Sequence, residues 1–359
     1  MSHSLLRRWL LICILVGLLL VGWVTVGLAT ADMALGEPPG WPADSQAVAL
    51  DEGECRVYLP LVQRPPEPPP WVDTQSRAAS QSWYQQEYLG SASGDSGWTG
   101  NHASCGAGTT SEVFRAAMLR RINYYRSMAG VPALVGFDAA YNQKAQAAAL
   151  MMSVNGRLSH SPDTSWTCYT EDGREGAGSS NLFLGVYGSA AISGYIEDFG
   201  SHNDFVGHRR WILYPQTQYM GTGDIPPQGG YWAANALWVF DRDRMWGARP
   251  ETRDEFVAWP PPGYVPYQVV YSRWSFSYPK ADFSQATVSM TRGGQPLAVQ
   301  RNTPRDNYGE NTLVWEPQVD FGNPPAGDTT YQVALSNVVI DGEPRNFTYT
   351  VIIFDPAHR

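Results

Sequence analysis

The ten residues VGHRRWILYP (206–215) combine two features that call for different environments. Trp211-Ile212-Leu213 is an apolar run of the kind that packs into a core, yet the polar and basic His208-Arg209-Arg210 directly precedes it. One interpretation is the end of a helix whose basic tip is solvated. The alternative is that His208 lines a cleft together with a second histidine from another part of the chain.

The composition is that of a globular protein. The chain has 359 residues, of which 43% are hydrophobic and 16% are charged. This balance excludes a largely disordered chain, and the length is sufficient for two ordinary domains with accessory segments. The formal net charge is −9, and no long basic run occurs outside the N-terminus. We therefore expect no nucleic-acid partner.

The N-terminus has the pattern of an export signal. Arg7 and Arg8 precede the uncharged stretch WLLICILVGLLLVGWVTVGLA (9–29), and Ala29-Thr30-Ala31 is a small-x-small cleavage site. Residues 1–31 are therefore predicted to be a signal peptide cleaved after Ala31, or a signal anchor held in the membrane by residues 9–28. In both cases the remaining chain is secreted to the extracellular side or anchored to the outer face of the membrane, and it contacts the membrane only through this segment.

Three cysteines follow the export segment: Cys55, Cys105 and Cys168. An exported protein permits disulfides. Cys105 and Cys168 fall in one predicted domain, so we expect them to pair, which leaves Cys55 free or bonded to another molecule. The sequence contains no CxxC motif, so a cysteine-rich zinc site is not supported.

The rest of the chain divides by composition. Residues 32–100 contain RPPEPPPW (64–71) and SASGDSGWTG (91–100), which predict a Pro/Gly/Ser-rich linker. A first domain is predicted over residues 101–248 and a second over residues 249–359.

Helical patterns dominate the first of these domains. They predict a helix opened by a capping box at Thr109 to Glu112 and closed by Gly130, a second from Asp138 to Gly156, and a third over 189–198. The segment TEDGREG (170–176) is predicted to be a loop, and NALWVFD (235–241) has the length of a strand. After residue 250, short alternating runs at 273–278, 285–290, 296–300, 311–315, 330–336 and 347–354 predict an immunoglobulin-like β-sandwich.

Two histidines outside the termini are candidates for chemistry, His160 in LSHSP and His208 in VGHRR. A neutral imidazole binds zinc and similar ions, and it is a general base near neutral pH. The two lie 48 positions apart, so only the fold can bring them together. Spacing alone favours capping or surface histidines.

An ordered series of segments resembles the CAP superfamily (SCP domains, cysteine-rich secretory proteins, antigen 5 and pathogenesis-related proteins), in its bacterial extracellular type. The series spans residues from about 111 to 241 and consists of RRINYYRSMAGVPAL (120–134), YNQKAQAAALMMSVNGRLSHS (141–161), SSNLFLG (179–185), AAISGYIED (190–198) and VGHRRWILYP (206–215). The resemblance implies an α+β protein: a CAP-like α-β-α sandwich followed by the all-β immunoglobulin-like sandwich.

The resemblance also implies a cleft with two histidines and two acidic residues, in which the histidines bind a divalent metal. By position the histidines are His160 and His208. One acidic position is occupied by Ser180, and the other falls at Asp198 with Glu197 as the alternative. Substitute acids are sought in TEDGREG, at Glu171, Asp172 or Glu175, and Arg209 and Arg210 are expected at the rim or in salt bridges.

We therefore predict a secreted or surface-anchored protein whose cleft binds a ligand, a divalent metal such as zinc held weakly, or a cell-surface partner. The alternative is a metal-assisted, peptidase-like extracellular hydrolase that uses His160, His208 and Asp198. No HExxH motif is present to support it, and the catalytic residues are unknown. A Ser-His-Asp hydrolase built on Ser180 and a purely structural envelope protein are further readings.

Overall fold

The structure is a computed structural model that describes residues 71–358. The described residues belong to one compact unit. The predicted export segment 1–31 and Cys55 lie outside the described residues. Among the described helices, none combines the length and the apolar character needed to cross a bilayer. The division into two domains at residue 248 stays a prediction.

Six α-helices are found within residues 71–358. They are α1 (Arg77–Trp83), α2 (Glu112–Met128), α3 (Ala139–Asn155), α4 (Glu171–Gly178), α5 (Ser189–Glu197) and α6 (Gly207–Ile212). Four strands lie among these helices or directly after them: β1 (Gly136–Phe137), β2 (Ser180–Leu184), β3 (Tyr219–Ile225) and β4 (Ala234–Trp238).

Nine strands make up the C-terminal part of the described chain. They are β5 (Val257–Trp259), β6 (Gly263–Pro266), β7 (Trp274–Tyr278), β8 (Thr287–Arg292), β9 (Gln295–Leu297), β10 (Val299–Arg301), β11 (Asn311–Pro317), β12 (Thr329–Ile340) and β13 (Glu343–Phe354). All six predicted strand runs are confirmed in outline, and the run at 296–300 is divided between β9 and β10.

Side-chain caps determine where the two long helices begin. The predicted capping box at Thr109 is wrong, because Ser111 caps α2 by accepting a hydrogen bond from Phe114 N at 3.2 Å. The α3 helix begins near Asp138 as predicted, and Asp138 caps it by accepting a hydrogen bond from Tyr141 N at 2.9 Å. Gly156 ends α3 in the left-handed conformation, with φ of 62°, where a residue without a side chain is least strained.

The loop predicted at TEDGREG is wrong, because this segment forms α4. Thr170 caps it by accepting a hydrogen bond from Gly173 N at 3.0 Å. Its glycines suggested a loop, but they allow α4 to lie very close to α3. A Cβ atom added to Gly176 would stand 2.1 Å from Lys144 O.

The first part of the structure has three layers around a four-stranded sheet of order β1-β3-β4-β2. The β3–β4 and β4–β2 pairs are antiparallel, and β1 pairs with β3 in parallel. The core on one face contains α3 with Ala236 and Trp238, and that on the other contains α2 and α5 with Leu237. Gly223 lets α3 lie directly on the sheet, since a Cβ there would be 2.2 Å from Gln146 N.

The C-terminal strands form two sheets, of order β10-β11-β7-β5 and β6-β13-β12-β8-β9. Buried aromatic residues from both sheets share one core, for example Trp274 and Tyr331, whose ring centroids are 5.8 Å apart. This core continues into the helical part, where the Tyr125 ring of α2 lies 5.2 Å from that of Trp259. The β-rich region is therefore packed against α2, while its immunoglobulin-like character stays a prediction.

Residues 77–91, which the composition assigned to a linker, are helical and packed. The α1 helix continues through a turn at Tyr84–Tyr88, and the Tyr88 ring lies 5.1 Å from the ring of Tyr124 in α2. Arg120 in α2 also donates to Gln86 O at 2.7 Å. The sequence of this segment has no apolar stripe that would predict a packed helix. Its packing is made instead by contacts among three tyrosines.

Candidate functional site

Two adjoining cavities of about 380 Å³ each are lined by His160 and His208. The first cavity has a mainly apolar wall formed by Leu158, Leu182, Phe183, Leu184 and Phe199. The second cavity is walled by Ser180, Asn181, Phe205, Trp211, Phe240 and Tyr308. The fold therefore places the two predicted histidines around one cleft, although they are 48 positions apart in the sequence.

His208 is held by the carboxylate of Asp198. His208 lies in the first turn of α6, and Asp198 follows the last residue of α5 in a left-handed conformation with φ of 56°. Asp198 Oδ1 accepts from His208 Nδ1 at 2.7 Å, and Oδ2 accepts from His208 N at 2.9 Å and Arg209 N at 3.3 Å. Since an ionised carboxylate only accepts hydrogen bonds, Nδ1 carries the proton and Nε2 keeps its lone pair.

His160 lies in the loop after α3 and is oriented in a similar way. Its Nδ1 is 2.9 Å from Ala177 O near the end of α4. A carbonyl oxygen can only accept, so Nδ1 is the donor and Nε2 again keeps a lone pair. The His160 side chain is exposed, and that of His208 is 26% exposed. Both imidazoles therefore remain accessible from the cleft.

The other predicted site residues have different positions. Ser180 lines the second cavity, and its buried hydroxyl has no hydrogen-bond partner among the described residues. Glu197 is exposed and lines a separate groove with residues 267–268, 270–272 and 319–322, so it is not an alternative acid for the cleft.

The substitute acids from TEDGREG line neither cavity. Glu171 pairs with Arg174 on the exposed side of α4, and that ion pair lowers the pKa of Glu171 to about 2. Asp172 is exposed. Glu175 pairs with Lys144 and, at 2.7 Å, with Arg242. These interactions explain the acidic residues of α4 without a role in the cleft.

Arg209 and Arg210 are buried rather than placed at the rim of the cleft, which corrects the sequence-based expectation. Arg209 donates to Ile196 O and Glu197 O at the end of α5, and to Arg273 O and Ser275 Oγ in the β-rich region at 2.9 and 3.0 Å. Burial lowers the pKa values of both arginines to about 10, so both stay charged at neutral pH.

Arg210 connects α6 to a loop of the β-rich region. It donates to Arg305 O at 2.6 Å and to Glu310 O at 3.0 Å, on either side of Tyr308. These contacts answer the question raised by VGHRRW: His208 faces the cleft, while the two arginines satisfy backbone carbonyls at a buried interface.

Arg273, which the sequence analysis did not single out, holds the loop between α5 and α6. Its guanidinium donates to Asp198 O, to Gly200 O at 2.9 Å and to Asn203 O at 3.1 Å, and pairs with Glu316 at 3.1 Å. The β-rich region therefore supports the segment that carries Asp198.

The floor of the cleft is a buried polar network. Tyr195 OH in α5 donates to Asn235 Oδ1 at 2.8 Å and lies 3.0 Å from Asn181 O, while Asn181 Nδ2 donates to His208 O at 3.1 Å. Burial raises the pKa of Tyr195 well above its ordinary value, so the phenol stays protonated. The network links β2, β4 and α5 to the peptide that carries His208.

The protein groups that could hold a metal are two imidazole nitrogens. Asp198 is among the residues that line the first cavity, but its side chain is fully buried and both of its oxygens accept hydrogen bonds, so it orients His208 and has no free oxygen for an ion. Within residues 71–358, no group of three or more His, Cys, Asp or Glu side chains could bind an ion. A metal here would take most of its ligands from water or from a bound molecule.

Comparisons with known proteins show what the helical part is similar to. Residues 119–239 match the family model CAP, the cysteine-rich secretory protein family. No curated protein matches the chain. Solved structures similar to it include PcoC, a methionine-rich copper resistance protein from Escherichia coli, at 17% identity and a TM-score of 0.21, covering 27% of this chain and 92% of PcoC.

The selenomethionine form of PcoC gives 16% identity and a TM-score of 0.22, covering 29% of this chain and 99% of that one. Likeness at this level carries no argument about function. The disulfide predicted between Cys105 and Cys168 is present, with the Cα atoms 5.1 Å apart. The family match over residues 119–239 and the three-layer arrangement together support a CAP superfamily domain in this part of the chain.

Proposed function

We propose that this protein is an extracellular binding protein whose CAP domain recognises a ligand or cell-surface component in the cleft lined by His160 and His208. A divalent metal such as zinc, held weakly by the two imidazoles, would supply a Lewis-acidic contact for an oxygen or nitrogen atom of the ligand.

One observation carries the proposal. In both histidines Nδ1 donates to a protein oxygen, Ala177 O for His160 and Asp198 Oδ1 for His208, and both rings line the same cavities. This arrangement fixes the tautomer that leaves Nε2 basic, as in histidines that bind metals. Surface histidines without a role would not need matched acceptors on Nδ1.

The number of protein ligands supports weak rather than tight metal binding. Ser180 replaces the second acid, and a neutral hydroxyl is a poor ligand for zinc. With two nitrogens from the protein, open positions remain for atoms of a ligand. The site is therefore suited to reversible recognition more than to a permanent structural ion.

Export is part of the proposal. The Cys105–Cys168 disulfide fits an oxidising compartment, as does the export signal predicted over residues 1–31. Secretion and anchoring to the outer face of the membrane are both compatible with these features.

The alternative, a metal-assisted peptidase-like hydrolase, is supported by the Asp198–His208 pair, because a carboxylate on Nδ1 makes Nε2 a better base. A Ser-His-Asp enzyme is less well supported, because the Ser180 hydroxyl makes no hydrogen bond to a histidine. Hydrolysis of casein with added zinc, lost in His208→Ala, would favour the enzyme over the binding protein.

Zinc titration of the exported chain by calorimetry tests the proposal. His160→Ala and His208→Ala should each weaken zinc binding by about tenfold or more, because each removes one of two protein ligands. The exposed His202 lines neither cavity, so His202→Ala is the matched control and should bind zinc normally. Wild-type affinity in both cleft variants would show that zinc binds elsewhere.

A further inference from the structure

We propose that the second cavity is a subsite for an aromatic side chain of an extended peptide, and that Tyr308 of the β-rich region determines this selectivity. The inference deepens the proposed function, because it rests on a ligand that occupies the cleft between His160 and His208. It names the chemical class of that ligand and gives the C-terminal region a role in choosing it.

The lining of the second cavity is aromatic and without formal charge. Phe205, Trp211, Phe240 and Tyr308 contribute rings, and none of the described residues that line it is Asp, Glu, Lys or Arg. A neutral flat side chain is therefore favoured over a charged one, since ring–ring contacts are attractive and no carboxylate, ammonium or guanidinium group of the lining would pair with a charged side chain. The volume of about 380 Å³ is sufficient for such a side chain.

Tyr308 is held in place by backbone geometry. It stands at the tip of a turn between Asn307 and Gly309, which have φ of 71° and 68°. Its ring lies 4.5 Å from the ring of Phe205 and is 37% exposed. A Cβ at residue 309 would lie 3.3 Å from Arg210 O, so the turn fits closely against α6.

Hydrogen bonds and a cation–π contact on both sides of the turn preserve this position. Arg210 donates to Arg305 O before the turn and to Glu310 O after it. A further hydrogen bond runs from Asn302 Nδ2 to Asp204 O at 2.8 Å. Arg305 lies over the Phe205 ring at 4.7 Å. The Tyr308 ring is thus pre-positioned at the cavity, which lowers the entropic cost of binding a ring against it.

A peptide fits the polar groups of the cavity better than a sugar does. The Ser180 hydroxyl is buried with almost no accessible surface, so it adds little to the polar groups that the cavity offers a ligand. The side-chain amides of Asn181 and Asn203 already donate to His208 O and Phe199 O. A sugar ring has several hydroxyls, and burying them here would leave most of them unpaired.

The two cavities meet at the histidines, which suggests how an extended peptide would lie. Successive side chains of an extended peptide point to opposite sides of its backbone. An aliphatic side chain would enter the first cavity against Leu158 and Leu182, and the next, aromatic side chain would enter the second against Tyr308. The peptide group between them would face the imidazoles.

Two matched dipeptides test the proposal: acetyl-Leu-Phe-amide and acetyl-Leu-Ala-amide, titrated into metal-free exported chain and followed by NMR of the Trp211 indole N–H. We expect the phenylalanine probe to bind about fivefold more tightly, as one aromatic contact provides. Tyr308→Ala should remove this preference and Tyr308→Phe should keep it. Tyr231→Ala is the matched control, because Tyr231 is 36% exposed and lies outside both cavities. This variant should keep the preference for the phenylalanine probe.

Equal binding of the two dipeptides to the wild type, tighter binding of chitotriose, or a Tyr308→Ala variant with its preference intact would each overturn the proposal. A thermal unfolding midpoint near the wild-type value establishes that Tyr308→Ala is folded. Zinc binding separates the two proposals. A wild type that binds zinc through the two histidines but does not prefer the phenylalanine probe rejects only the subsite. Wild-type zinc affinity in both histidine variants, with the aromatic preference intact, rejects only the metal-assisted cleft.

Discussion

Replacing Asp198 by asparagine should change the tautomer of His208. The side chains have the same shape, and asparagine tolerates the left-handed backbone at this position, where φ is 56°. The single amide oxygen of the variant would continue to accept from His208 N and Arg209 N. Its NH₂ group would then face His208 Nδ1, which must give up its proton to accept a hydrogen bond. The proton moves to Nε2, the atom that is proposed to face the metal.

The expected size of the effect follows from this geometry. A protonated Nε2 cannot bind zinc until the tautomer is reversed against the new hydrogen bond. Loss of such an orienting carboxylate costs about 10- to 100-fold in metal affinity, or about 1.4–2.8 kcal/mol. The unfolding free energy should fall by about 1–2 kcal/mol, because the three hydrogen bonds to a fully buried carboxylate become bonds to a neutral amide.

The tautomer is read from long-range ¹H–¹⁵N correlations of the histidine rings, and the zinc affinity from calorimetry. Asp243→Asn, which makes the same charge change at an exposed position, should alter neither measurement. If Asp198→Asn left Nδ1 protonated, or if zinc affinity stayed within twofold of the wild type, the reasoning about the Asp198–His208 pair would be refuted.

Four further results are expected. Burial raises the pKa of Asp224 from 3.8 to about 6, so its contribution to stability is complete below pH 3.8 and falls by about 3 kcal/mol as pH rises through 6; urea unfolding of Asp224→Asn should lack this dependence. Replacing Cys105 and Cys168 by serine opens a loop of 63 residues and should lower the unfolding free energy by about 4 kcal/mol in urea. Arg209→Met leaves four acceptors without their donor, two in buried and two in part-buried hydrogen bonds, and should cost about 3–5 kcal/mol by thermal unfolding. N-terminal sequencing of the mature protein should begin after Ala31, as cleavage of the predicted signal requires.

Each of these has a contrary outcome. A wild-type and an Asp224→Asn protein with parallel stability curves between pH 4 and 7 would mean that this carboxyl has an ordinary environment. For Arg209, the exposed Arg242→Ala is the control, and equal losses in both variants would contradict the burial argument. Recovery of an intact Met1 in membranes would establish an anchor.

Local signals were sufficient for most of the secondary structure. The α3 helix begins after Asp138 and ends before Gly156, where the sequence predicted. A capping side chain and a left-handed glycine act over one helical turn, so they need no distant partner. The errors arose where a residue type has two uses. The glycines of α4 indicated a loop but serve close helix packing, and Ser111 took the capping role expected of Thr109.

The sequence by itself determined the α+β class, the pairing of Cys105 with Cys168 and, through the ordered CAP-like segments, the choice of His160 and His208. Only the tertiary structure decided the roles of Arg210 and Tyr308, one buried against carbonyls of the β-rich region and the other lining the second cavity. The reason is physical: caps, turns and periodicity act between neighbours in the chain, whereas the environment of a charge or a ring depends on segments about 100 positions away, which only folding brings into contact.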